Sequence, residues 1–208
     1  MYTLYAAPNC GSFVVHALMD EAGAAYRLVE IDLAKREHQA TTYLDVNPMG
    51  TIPALDVGGG RIMTESAAMV IYLVDHFPKA GLGPSPGAPE RPAFLSWLLF
   101  LAVNTYQATE REYRPEWYTT VPEECEGVKA AAVRRMDEQF AMIDKALEES
   151  RYLAGARRSA ADLYLLMIAQ WHPTPDTLFE ACPNVARVCD EERKRDVSAQ
   201  LNAYYKIW

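Results

Sequence analysis

The stretch Asn47-Pro48-Met49-Gly50-Thr51-Ile52-Pro53-Ala54-Leu55 joins turn chemistry to a short apolar strand that carries its own proline. Asn-Pro followed by Met-Gly favours a tight reversal. Pro53 removes a ladder donor, so it belongs at the start of its strand or at a sheet edge.

Upstream of it, residues 2–6 read as a strand, and Pro8 and Gly11 then punctuate the chain. Phe13 to Gly23 places Phe13, Val14, Ala17, Leu18 and Ala22 at helical spacing, with Gly23 as the stop. Tyr26 to Asp32 has the alternation and β-branched content of a second strand, and a charged helical stretch from Ala34 to about Tyr43 follows. A strand, helix, strand unit of this length implies parallel pairing through a right-handed crossover. Downstream, Gly58-Gly59-Gly60 turns the chain into Arg61-Ile62-Met63, and Thr64 to Phe77 is helical with Ala67, Val70, Ile71 and Val74 on one face. The order through Phe77 is therefore βαβαββα.

Pro78 to Pro92 holds five prolines and three glycines in fifteen residues, a composition that opposes helix and strand alike. The expected division is a first domain over 1–78, a linker over 79–91 and a second domain over 92–208. The second domain lacks convincing strands. Phe94–Arg111 is rich in leucine and aromatics, Glu124–Glu149 is amphipathic, and Ala160–Trp171 is apolar on nearly every face, which suits the centre of an all-helical bundle. Ser159-Ala160-Ala161-Asp162 ahead of that run has the form of a capping box.

Composition narrows the function. A formal net charge of -8 and no run of Lys or Arg argue against nucleic acid as a partner. No apolar run approaches the roughly 20 residues of a membrane span, and Met1 leads into a strand-like segment without a basic leader, so a cytoplasmic location is expected. Cys10, Cys125, Cys182 and Cys189 form no CxxC pair, which fits a reducing compartment. His16, His38, His76 and His172 show no metal-ligand spacing with one another or with cysteine, and no metal is expected.

The segment Asn47–Leu55, the segment Thr64-Glu65-Ser66-Ala67-Ala68-Met69-Val70-Ile71-Tyr72-Leu73 and the box at Ser159–Asp162 together resemble the glutathione transferase family across nearly the whole chain. The resemblance implies a thioredoxin-like α/β domain followed by an all-α domain, glutathione as co-substrate, and a homodimer. It implies a cis Ile52-Pro53 bond, with the main chain of Ile52 turned toward the cysteinyl part of glutathione. Glu65 and Ser66 at a helix start would then take the γ-glutamyl head, and a cation among Lys35, Arg36 and His38 the glycyl carboxylate.

The reacting position falls at Asn9-Cys10-Gly11-Ser12, ahead of the first helix, where the helix dipole favours a thiolate. Ser12 or Asn9 would stabilise the thiolate of bound glutathione for attack on a small hydrophobic electrophile. Cys10 would instead exchange disulfides with glutathione. Tyr5 stands before the loop and is the less suitable hydroxyl. A pocket for the electrophile is expected between the domains, with Trp97, Phe100, Asn104, Tyr106 and Arg111 as candidate lining residues. A third reading keeps the fold as a non-catalytic ligand-binding protein.

Overall fold

Strand β1 (Tyr2–Ala6) lies inside a four-stranded sheet of order β2-β1-β3-β4, with β2 at Tyr26–Glu30, β3 at Ala54–Asp56 and β4 at Ile62–Met63. β1 and β2 run parallel with Tyr2 opposite Tyr26. β3 is antiparallel to β1, with Tyr5 opposite Ala54, and β4 is antiparallel to β3, with Leu55 opposite Met63. These are the strands of a computed structural model that describes all 208 residues. The strand after Pro53 begins at Ala54, so the proline sits ahead of the ladder, where its missing N–H costs nothing.

Helix α1 (Ser12–Glu21) is buried along its length from Ser12 to Met19, because β1, α3 (Ser66–His76) and the last helix, α10 (Asp196–Tyr205), all pack on it. Leu4, Phe13, Val14, Leu18, Leu55, Val70 and Leu73 have no exposed surface and form the core around it. The turn at Gly58–Gly60 uses positive φ at all three glycines (110°, 70° and 73°), which side chains with a Cβ rarely adopt.

The expected helix over Ala34–Tyr43 is not formed as one element. A turn covers 33–36, a single 3-10 turn covers Glu37–Gln39, and helix α2 is confined to Thr41–Leu44. Side chains compete with the helical ladder here: Asp32 Oδ1 accepts the Lys35 N–H at 3.0 Å, Glu37 Oε2 accepts the Asp32 N–H at 2.8 Å, and Arg36 turns left-handed at φ 58°.

By packing, the chain forms two units, Met1–Pro86 together with Lys194–Trp208, and Gly87–Arg193. The sequence reading carried the helical domain to Trp208. In the structure the final segment belongs to the first unit, where the Phe13 ring meets Tyr205 at 5.6 Å and Trp208 at 5.9 Å. Helical periodicity announces a helix without naming its partner.

The second unit is all helical: α4 (Arg91–Phe100), a π-helical turn over Leu101–Thr105, α5 (Tyr106–Tyr113), α6 (Cys125–Glu149), α7 (Ala160–Gln170), α8 (Pro175–Ala181) and α9 (Pro183–Arg193). As its composition requires, α7 is buried from Ala160 to Ala169. The capping box is present. Asp162 accepts the Ser159 N–H at 2.7 Å, the Ser159 hydroxyl at 3.1 Å and the buried Leu153 N–H at 2.9 Å, so one carboxylate ties the preceding loop to the first turn. Burial pushes the Asp162 carboxyl up to about 6 against the pull of those donors. Beside it Glu192, itself buried, grips Arg158 bidentately at 2.6 and 2.7 Å.

Replacing Asp162 with Ala removes the cap and strands the Leu153 amide. Urea denaturation is expected to show a loss of about 2–4 kcal/mol, and a loss below about 1 kcal/mol would show that the box is dispensable.

Candidate functional site

Strand directions bring three segments to one end of the sheet. Because β3 is antiparallel to both neighbours, the end of β1, the start of β3 and the end of β4 lie side by side. The chain leaving β1 is the Ala7–Gly11 loop, the chain entering β3 is Ile52-Pro53, and the chain leaving β4 is Thr64–Ser66.

In the first segment, Asn9 is exposed and turned left-handed at φ 48°, while Ser12 opens α1 with no exposed surface. Cys10 is half-buried. Its thiol donates to the Ala7 carbonyl at 3.0 Å and lies 3.0 Å from the Ser12 hydroxyl, which also accepts the Ala7 N–H at 3.3 Å and reaches the Ala7 carbonyl at 3.2 Å. Burial pushes the Cys10 thiol up, and the hydrogen bonds of Ser12 and Ala7 offset only part of that. Tyr5 packs its ring 5.8 Å from that of Tyr43 and joins the cluster of Ile31, Tyr43 and Ala54, which gives it a packing place rather than one in the loop.

The second segment is braced from beneath. Asn47, wholly buried, donates to the Thr51 carbonyl at 2.8 Å and accepts the Met49 N–H at 3.1 Å; the Tyr43 hydroxyl donates to the same carbonyl at 2.7 Å. Gly50 adopts φ +63°, and a Cβ there would stand 3.1 Å from the His38 carbonyl. The Ile52-Pro53 bond is cis, and the main chain of Ile52 takes part in no backbone hydrogen bond of the chain, since the β1–β3 ladder begins at Ala54. Neither Asn47 nor Tyr43 stood out in the sequence as a bracing residue, because only the fold brings Tyr43 onto Thr51.

At the third segment Glu65 is exposed and held at φ 66°, an uncommon conformation for a residue with a Cβ, and α3 starts at Ser66 with no side-chain cap. The first turn thus presents main-chain N–H groups and the positive end of the helix dipole beside a carboxylate. Of the cations, exposed Lys35 pairs with Asp32 at 2.9 Å, Arg36 is held on Gln39, and half-buried His38 keeps its Nδ1 enclosed without a partner.

The candidates in the second unit have different neighbours. Asn104 and Arg111 line a groove of about 680 Å3 between α5 and α6, where Arg111 lies over the Tyr118 ring at 4.7 Å. Tyr106 packs on Trp171 at 5.3 Å, and Trp97 on Phe100 at 5.5 Å.

One feature had no sequence signal at all. Tyr205 Oη lies 3.0 Å from His16 Nδ1, and His16 Nε2 lies 2.5 Å from Tyr26 Oη, which donates to Asp20 at 2.5 Å. The Tyr205 carbonyl accepts the Asn9 N–H at 2.8 Å. No group of three or more His, Cys, Asp or Glu side chains is placed to hold a metal ion.

The family model for the glutathione S-transferase N-terminal domain matches residues 1–75, and that for the glutathione S-transferase C-terminal domain matches residues 93–196. The chain belongs to the glutathione S-transferase family. Among its relatives, glutathione S-transferase GstA of Escherichia coli O157:H7 is 28% identical over 169 residues, 81% of each chain. The disulfide-bond oxidoreductase YfcG of Escherichia coli K12 is 28% identical over 171 residues, covering 78% of this chain and 76% of that one. A glutathione transferase homologue from Sulfitobacter, solved with bound glutathione, superimposes with a TM-score of 0.88 at 26% identity over 98% of this chain and 97% of that one. The family's two-domain plan, a thioredoxin-like sheet domain and a helical domain, is the architecture of this chain.

The burial that pushes the Cys10 thiol up sets a pH dependence. Peptide-resolved mass spectrometry should show its alkylation rate still rising above about pH 8.5; a rate that levels off below about pH 7 would mean that the loop holds a thiolate.

Proposed function

We propose that this chain is a glutathione transferase that lays glutathione along the sheet end described above and directs its sulfur to the Cys10 loop. The observation that carries the reading is the unpaired main chain of Ile52, beside Pro53, flanked on one side by the uncapped start of α3 and on the other by the start of α1.

The pieces suit a tripeptide with a carboxylate at each end. Ile52 offers an N–H and a C=O to pair antiparallel with a cysteinyl residue. The α3 start, with the Ser66 hydroxyl, suits the γ-glutamyl carboxylate, and Glu65 suits the ammonium next to it. His38, with its enclosed and unpartnered Nδ1, and Lys35 are the cations for the glycyl carboxylate. The ligand sulfur would then stand at the amino end of α1, whose main-chain N–H groups and dipole favour its thiolate. Attack forms the carbon–sulfur bond, the leaving group departs with its electron pair, and the thiol proton passes to solvent. Asn9, exposed at the tip of the loop, and Ser12 and Cys10 at its base are the side chains closest in sequence to that point. Of the second-unit candidates, Asn104 and Arg111 share one groove and remain the better pair for an electrophile. A homodimer acting in a reducing compartment completes this reading, with sedimentation at twice the 23.3 kDa chain mass as its signature.

A second reading rests on one observation: the Cys10 side chain reaches the surface while Ser12 is wholly enclosed. Cys10 thiolate would attack the glutathionyl sulfur of a mixed disulfide, taking that sulfur and releasing the other thiol as its thiolate; a glutathione thiolate then attacks the Cys10–glutathione disulfide, forming glutathione disulfide and freeing the Cys10 thiolate. A relative that is a disulfide-bond oxidoreductase is consistent with that chemistry.

Titration calorimetry with glutathione is expected to give a Kd of about 1 mM or tighter, about −4 kcal/mol, and Ser66→Ala to weaken it by about tenfold, about 1.4 kcal/mol. No heat at several times that concentration would remove both readings. Cys10→Ala separates them: aryl-halide conjugation persists under the first, and mixed-disulfide reduction disappears under the second.

A further inference from the structure

Alanines leave the seam between α5 and α6 open. Ala108 and Ala132 are buried on the two helices and Ala131 stands beside them, so the groove of about 680 Å3 has small side chains where a helix pair is ordinarily filled by larger ones. Val103 and Asn104 line the same groove from the π-helical turn, and Tyr118 lines it from the chain between α5 and α6. Such a lining suits a flat apolar body.

The charged part of the lining is mainly cationic, in a chain whose formal net charge is -8. Arg111, Arg134 and Arg135 share the groove with a single carboxylate, Glu138, and Arg135 meets it at 3.1 Å. No second carboxylate lines the groove for Arg111 and Arg134. Arg111 is instead held by neutral groups: its guanidinium lies over the Tyr118 ring at 4.7 Å, and Nη1 donates to the Gln107 carbonyl at 3.0 Å. A guanidinium ordered in this way keeps its charge for an anion and gives up little side-chain freedom on meeting one.

Gln139 adds a polar group to the same lining. Its side chain is only 2% exposed, and its Oε1 is enclosed without a hydrogen-bond partner. An amide left so in a buried place is costly, and a ligand that brings polar atoms to it removes that cost. Exposed arginines along a helix are ordinarily solvated charges. The open alanine floor and the unsatisfied amide beside them set these apart.

We propose that the α5–α6 groove is a binding site for a flat aromatic carboxylate. Its ring lies against Ala108, Ala131 and Ala132, Arg111 and Arg134 supply the charge that selects the anion, and the Gln139 amide takes up polar atoms at the groove wall. This deepens the electrophile reading of Asn104 and Arg111 by naming the charge the ligand carries, and rests on it. Binding is measured on the chain without glutathione, so a failure to bind glutathione and a failure here are distinguishable.

Titration calorimetry of the full chain with naphthoate, and with naphthalene methanol as its uncharged counterpart, reads the site. Naphthoate is expected to bind with a Kd of about 0.1 mM and naphthalene methanol about tenfold more weakly. Arg134→Gln and Arg111→Gln should each weaken naphthoate about fivefold and leave naphthalene methanol unchanged. Gln139→Met, which keeps the volume and removes the amide, should weaken naphthoate by a smaller factor. Ala131→Trp, at an exposed position that tolerates a large side chain, should abolish the binding of both, while Lys145→Gln, outside the groove, should change neither. Equal affinities for the two ligands, no heat from naphthoate at several times that concentration, or naphthoate binding that survives both arginine variants and Ala131→Trp overturns the proposal. So does binding that weakens as the chain concentration rises, with sedimentation at twice the chain mass, since the groove would then be covered by a second copy.

Discussion

The pairing of β1 with β3, Tyr5 opposite Ala54, is the constraint on which the candidate site depends. An antiparallel pair sets the exit of one strand beside the entry of the other. With β4 antiparallel again, that single register gathers the Cys10 loop, the Ile52-Pro53 corner and the start of α3 at one edge. A shift by one residue would turn Leu55 out of the core and carry the corner away from the loop. The braces on Thr51 from Asn47 and Tyr43 act on the same point, since they fix the chain just before it enters the strand.

The two helix starts at this edge have different surroundings. α1 opens inside the core, with Ser12 fully enclosed and its hydroxyl engaged with Ala7. α3 opens at the surface, with Glu65 strained and uncapped. An enclosed start can tune a neighbouring atom through a few fixed dipoles, while an exposed start can receive a charged group from solvent. That division matches a ligand whose charged ends lie away from its reacting atom.

A short polar chain runs from Asp20 to Tyr205: the Tyr26 hydroxyl donates to Asp20, and the two ring nitrogens of His16 bridge the Tyr26 and Tyr205 hydroxyls. Such a chain is costly to leave half satisfied in a buried place, which is reason enough for its members to be ordered. In the second unit, Asp162 plays a comparable part at the start of α7, where one buried carboxylate takes three donors and fixes where the helix begins.

Much of this was written in local sequence. The proline at Ile52-Pro53, the three-glycine turn at 58–60, the apolar period of α7 and the box at Ser159–Asp162 each follow from dihedral, period or capping rules that operate within a few residues. The candidate residues Cys10, Ser12, Glu65 and Ser66 were legible for the same reason, each standing at a helix start. What the sequence alone could not supply was partnership at long range. The breakdown of helix at 34–40 came from side chains folding back on the backbone, the place of α10 against α1 came from packing, and the contact of Tyr205 with the Cys10 loop came from both. Local rules set conformation along the chain, whereas which apolar face meets which, and which buried polar atom finds which partner, is decided only when the whole core closes at once.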